Sequence, residues 1–111
     1  ITGILPDQQP PPESGEFASL LGVQTRTMTL INKLLQRSGA QALMCSAIRI
    51  QGGWELHFLP ADGALYSENI EISLSALNKG VESIIALAPE QYQWEYKRFR
   101  DRPTGESPAY D

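Results

Sequence analysis

Apolar and polar positions alternate at different periods along this chain, and each period predicts an element. Ile1 to Leu5 reads as the end of a strand. Residues 6–24 read as a long loop, since Pro10, Pro11 and Pro12 hold the backbone near polyproline II and Gly15 and Gly22 loosen it on either side. Phe17, Leu20 and Leu21 form an apolar patch within it. Leu30, Ile31, Leu34 and Leu35 then recur at helical spacing, so a helix is expected from Thr27 to Arg37, capped by Thr25 or Thr27 and stopped by Gly39. "AQALMCSAIRIQ" is apolar nearly throughout and predicts a buried strand. Gly52-Gly53 is a hairpin turn signal, "WELHFLP" the return strand, and "PADG" a turn.

The strongest period is the next one. Leu74, Leu77, Val81, Ile84, Ile85 and Ala88 line one face of a helix that Pro89 ends. Pro89 also suits the first turn of a further helix, 89–100, on which Tyr92, Tyr96 and Phe99 share one face and Trp94 and Arg98 another. The tail, 104–111, is polar, rich in turn formers and expected to be flexible. The order strand, loop, helix, strand, strand, helix, helix predicts an α/β domain with a mixed, partly parallel sheet and helices packed on it. Such a sheet needs cover on both faces, more than residues 1–103 supply. The remaining cover is expected from polypeptide on the N-terminal side.

Composition narrows the class. At 111 residues, with 41% hydrophobic and 20% charged positions, the chain suits one folded domain. Its apolar runs are too short to span a bilayer, and Ile1–Leu5 lacks the basic flank and length of a signal peptide. The lone Cys45 forms no internal disulfide and is expected to be buried and inert. The net charge of −4 argues against a nucleic-acid partner. Lys97, Arg98, Arg100 and Arg102 nevertheless cluster within six positions. A solvated helix end is the simpler reading, and a phosphate or anionic-lipid contact the sharper one.

Candidate chemistry is sparse. His57, the only histidine, stands in "HFLPAD", five positions before Asp62. A histidine with a carboxylate at that spacing can act as an oriented base toward a hydroxyl. With Asp and Glu making up 13 of 111 residues, such a pairing arises by chance about once in nine, and a strand followed by a turn is the wrong context. His57 is therefore read as a strand residue with an accidental partner. There is no metal-ligand spacing and no phosphate-binding glycine loop. Asp7-Gln8 follows a strand where α/β sheets place ligands, although spacing alone favours a turn-forming Asp after Pro6.

Three stretches carry a resemblance: "GILPDQ" with the downstream "LLG" and "TRTMT", then "LLQRSGAQALMCSAIR", then "LAPEQYQWEYKRFRDRP". In this order they resemble the C-terminal part of the bacterial lipid A biosynthesis acyltransferases, the lauroyl and myristoyl transferases of the glycerolipid-acyltransferase-like superfamily. Leu20-Leu21 stand where that family usually has aromatics, and three prolines enter the loop. The resemblance implies a cofactor-free enzyme that moves an acyl chain from acyl carrier protein to a hydroxyl of a lipid A precursor. It would work at the cytoplasmic face of the inner membrane. The family's catalytic His-x4-acid pair would lie upstream of Ile1, so no catalytic residue is expected within this chain, which alone would be inactive. Asp7 and Gln8 would line the acceptor side, and Arg98 would bind a phosphate or anchor the last helix, with Arg49 a weaker candidate for either task. The alternative is a non-catalytic binding or scaffolding domain that docks a partner through Phe17, Leu20 and Leu21.

Overall fold

The computed structural model describes residues 1–111. The elements are β1 (Gly15–Leu20), β2 (Val23–Met28), α1 (Leu30–Ser38), β3 (Leu43–Ile50), β4 (Gly53–Pro60) and α2 (Ile70–Leu87), with single 3-10 turns at Pro12–Ser14, Gly63–Tyr66 and Pro89–Gln91. The class is α/β, but the expected parallel pairing does not form. Both sheets are two-stranded antiparallel hairpins, β1–β2 and β3–β4. Each leans on α2, and the result is thin, 47 × 40 × 20 Å.

Ile1–Leu5 forms no strand, and Ile1 and Leu5 are exposed. Without a neighbour to take its ladder bonds, a strand-like sequence gains nothing from being straight. The predicted loop, by contrast, holds a hairpin. Gly15, where β1 starts, leaves room for the Pro10 ring: a Cβ there would lie 2.4 Å from Pro10 Cγ. The turn uses Leu21 at φ 52° and Gly22 at φ 78°, and the Leu21 N–H donates to Glu82 Oε1 at 2.7 Å. Leu-Gly is not the usual Asn-Gly or Asp-Gly turn signal. The inward residues of β2, Thr25 and Thr27, are polar yet fully buried, which disguised the strand. The supposed patch separates accordingly. Leu20 enters the core with Val81 and Ile85, Phe17 lies under the Arg26 guanidinium at 4.6 Å, and only Leu21 stays exposed.

Because β2 takes Thr27, α1 starts at Leu30 behind Thr29. It ends as expected at Gly39, left-handed at φ 64°, whose N–H donates to the Leu35 carbonyl. Only Ile31 and Leu35 of the apolar stripe reach the core of Leu65, Ala76 and Leu77, while Leu30 and Leu34 face outward. The expected β3–β4 hairpin forms, but its turn is Gln51-Gly52 rather than Gly52-Gly53, and Gly53 already begins β4. β3 is not buried on both faces. Met44, Ser46 and Ile48 are partly covered, whereas Leu43, Cys45, Ala47 and Arg49 are exposed, so Cys45 is an exposed thiol rather than a buried one.

α2 matches its period. Asn69 caps it by accepting from the Ile72 N–H, and Leu74, Leu77, Val81 and Ile85 are buried. The helix expected over 89–100 is absent beyond the Pro89–Gln91 turn. Trp94 Nε1 donates to the Pro89 carbonyl at 2.8 Å, taking an acceptor that a continuing helix would use. The irregular segment that follows folds back over β2, and the tail meets it where the Phe99 N–H donates to Tyr110 Oη at 3.1 Å.

Candidate functional site

Asp7 and Arg98, from opposite ends of the chain, converge on Tyr92. Asp7 is half-buried in the turn after Pro6. Its carboxylate faces the Tyr92 hydroxyl, which is pushed up to about 12, first by burial and then by that negative charge, with Arg98 pulling the other way. Burial pulls Arg98 below the usual guanidinium value, opposed by Tyr92, Tyr96, Asp7 and Tyr110 around it. A carboxylate, a phenol and a guanidinium thus share one locality.

Arg98 is 1% exposed and its bonds are internal. Nη1 donates to Thr25 Oγ1 at 3.0 Å and to the Arg26 carbonyl at 2.6 Å, and Nη2 to Thr27 Oγ1 at 3.3 Å. Thr25 Oγ1 donates back to the Arg98 carbonyl at 2.7 Å, and Asn78 of α2 reaches Thr27 Oγ1 at 3.0 Å. This explains the buried threonines: they supply the acceptors that make a buried guanidinium tolerable. Arg98 does not stack on Trp94, which is half-exposed and meets the Tyr92 ring edge-on at 4.8 Å. Without the helix, the i, i+4 pairing has no geometry to act through.

Gln8, the predicted companion of Asp7, is exposed, and its neighbour Gln9 turns inward instead. The Gln9 N–H donates to Tyr96 Oη at 2.9 Å, and both amide atoms of its side chain are buried without a partner. Arg98 Nε is likewise buried and unpartnered. Sequence reasoning missed Gln9, Tyr92, Tyr96, Thr25 and Thr27. The Tyr92–Tyr96 spacing is visible in the sequence, but i, i+4 reads as a helical face, and no helix forms there.

The other candidates disperse. His57 Nε2 meets Glu55 Oε1 at 2.6 Å, while Asp62 Oδ1 accepts from the Ala64 N–H at 2.8 Å, so the His-x4-Asp spacing unites nothing. The basic run is not a helix end, and of its four cations only Lys97 and Arg100 face solvent, Arg100 at 3.8 Å from Asp101. Arg102 is tied to the Gln24 and Ser107 carbonyls and to Glu106, Asp101 pairs with Arg26 at 3.1 Å, and Lys97 lies over the Tyr110 ring at 5.8 Å. Arg49 lies over Trp54 at 4.9 Å on the β-hairpin. No group of three or more His, Cys, Asp or Glu side chains is placed to hold a metal ion, and no helix is long and apolar enough to cross a membrane. A hollow of about 330 Å³ opens among Glu13, Glu16, Thr29, Asn32 and Lys33 and shares no residue with the Asp7 cluster.

Comparison with known proteins gives a consistent result. The model of the bacterial lipid A biosynthesis acyltransferase family matches residues 1–101. Over 113 residues the chain is 32% identical to the lipid A biosynthesis lauroyltransferase of Escherichia coli (strain K12), which covers 99% of this chain and 37% of that protein. Over 109 residues it is 35% identical to the lipid A biosynthesis palmitoleoyltransferase of the same organism, covering 95% of this chain and 35% of that protein. The lipid A biosynthesis acyltransferase 2 of Shigella flexneri is 30% identical over 112 residues, covering 96% and 35% respectively. The chain therefore spans a little over a third of the length of these relatives.

Proposed function

The chain belongs to the bacterial lipid A biosynthesis acyltransferase family, and from that premise we propose that the whole protein transfers an acyl chain from acyl carrier protein to a hydroxyl of a lipid A precursor. The reaction takes place at the cytoplasmic face of the bacterial inner membrane and needs no cofactor. A histidine and an acid outside residues 1–111 form the catalytic pair. The histidine removes the acceptor hydroxyl proton, the acid orients it, and hydrogen-bond donors stabilise the oxyanion. The family match over residues 1–101 carries this reading.

Within this chain, Asp7 and Gln8 line the acceptor side. Asp7 keeps one side accessible while the Tyr92–Arg98 locality holds the other, so its carboxylate can accept from a sugar hydroxyl. Arg98 anchors that arrangement from within and does not itself grip a phosphate, since a guanidinium already committed to two threonines and a carbonyl has little left to offer.

The test is acyl transfer from acyl carrier protein to a lipid A precursor, using protein from the complete reading frame. Asp7→Asn is expected to lower the rate by about 10- to 100-fold with an unchanged melting curve, the scale of one charged hydrogen bond. Gln8→Ala is expected to lose less, and the 111-residue chain alone to give no turnover. Full activity in Asp7→Asn would remove Asp7 from the site. A loss that accompanies unfolding would reduce it to a turn residue.

A further inference from the structure

The β3–β4 hairpin closes through two residues, so the pair flanking the turn, Ile50 and Gly53, is hydrogen-bonded across the ladder. Counting back in twos, Arg49, Ala47, Cys45 and Leu43 turn their N–H and C=O groups away from β4, onto the free edge of β3. One of the four is already satisfied. The Arg49 N–H donates to Gln91 Oε1 at 2.8 Å, and Gln91 Nε2 donates to the Arg49 carbonyl at 3.0 Å. A side-chain amide here copies both bonds that a neighbouring strand would make. The other three residues have no such partner, which leaves six backbone groups open along a straight edge with exposed Leu43, Cys45 and Ala47 side chains. Beside it runs a hollow of about 120 Å³, walled by Ala47 and Ile48 on one side and Ile84, Ile85 and Ala88 on the other.

Resting on the family reading above, we propose that this edge is extended by a strand from the polypeptide that the relatives carry outside the matched region. That polypeptide accounts for almost two thirds of their length, since the chain covers 37% of the lauroyltransferase and 35% of the palmitoleoyltransferase. The strand takes the open groups of Leu43, Cys45 and Ala47 and stops at Arg49, where Gln91 occupies its place. Its side chains alternate between the hollow beside α2 and the outer face of the hairpin. Charged or proline residues, which commonly guard an exposed edge, are absent from Leu43 to Ile48.

Amide hydrogen exchange on the complete protein tests this without reference to catalysis. The N–H groups of Leu43, Cys45 and Ala47 are expected to exchange as slowly as the ladder groups of Met44, Ser46 and Ile48, and at least about tenfold slower than those of Trp54 and Leu56 on the opposite edge. Ala47→Pro removes one edge donor and no β3–β4 bond, so it should speed exchange at Leu43 and Cys45 while Met44 and Ser46 stay protected. Fast exchange at all three positions would overturn the proposal. So would protection that disappears on dilution, which assigns the edge to a second copy, or protection that appears only with anionic phospholipid vesicles. A reading frame that adds no polypeptide would also sink it.

Discussion

The two hairpins invert each other's chemistry. In β1–β2 two of the fully buried positions, Thr25 and Thr27, are polar, and beside the core residue Leu20 they close over a buried arginine. In β3–β4 the outer positions are apolar, and Leu43, Trp54, Leu56 and Phe58 are each more than half exposed. The first hairpin has its partners within the chain: α2 through Asn78 and the C-terminal segment through Arg98. The second has α2 on one side and solvent on the other. Burial in this protein therefore follows the availability of a partner more than the polarity of the residue. A polar group goes inside when its bonds are met there, and an apolar group stays outside when nothing covers it.

Arg98→Met gives the largest effect expected from breaking that contrast. It removes the guanidinium from Thr25, Thr27 and the Arg26 carbonyl and should cost roughly 3 kcal/mol in a denaturant melt, while Arg98→Lys, which keeps the charge and loses the fork, should cost roughly half as much. A loss below about 1 kcal/mol for Arg98→Met would mean that the buried node does not hold the C-terminal segment down.

Tyr92 sharpens the same contrast through pH. Its proton is held to about 12 in the folded chain against a usual value of 10.0. The folded state thus retains a proton that the unfolded state has released between those values. The stabilisation is complete below pH 10 and is lost as pH rises toward 12. In the tyrosine absorbance titration, the step near 12 should vanish in Tyr92→Phe and move down in Asp7→Asn, because the carboxylate no longer opposes ionisation. An unmoved step in Asp7→Asn would separate the two residues.

Leu21 offers a smaller change of opposite sign. It sits at φ 52°, a conformation that asparagine adopts more readily. Leu21→Asn should raise stability by about 0.5 kcal/mol, read from the midpoint of a urea titration, and a decrease would show that the leucine side chain contributes packing at the turn.

The smallest effect belongs to the open hairpin face. Phe58→Ser in the 111-residue chain should change stability by less than about 0.5 kcal/mol, as expected for a side chain that is 60% exposed. A loss of about 2 kcal/mol or more would mean that the face is already covered, by self-association or otherwise, and the contrast between the hairpins would collapse.

What the sequence determined by itself is what its periods and its local backbone chemistry encode. The α2 stripe, the left-handed stop at Gly39, the β3–β4 hairpin and the end of α2 at Pro89 are all local, set by spacing over a few residues or by the backbone of glycine and proline. Asp7 is legible in the sequence only as a carboxylate at the head of a proline loop within a family motif, and its place on the acceptor side is a proposal. The tertiary structure decided the rest. It turned "GEFASLLGVQTRTM" into a hairpin, because the threonines of its inner face find Arg98 and Asn78 from distant parts of the chain. It left Ile1–Leu5 unpaired, withheld the last helix, turned Gln9 inward beside the exposed Gln8, and brought Asp7 to Tyr92. Each of these depends on which group from far along the chain arrives to satisfy a donor, an acceptor or a charge, and local spacing holds no record of that arrival.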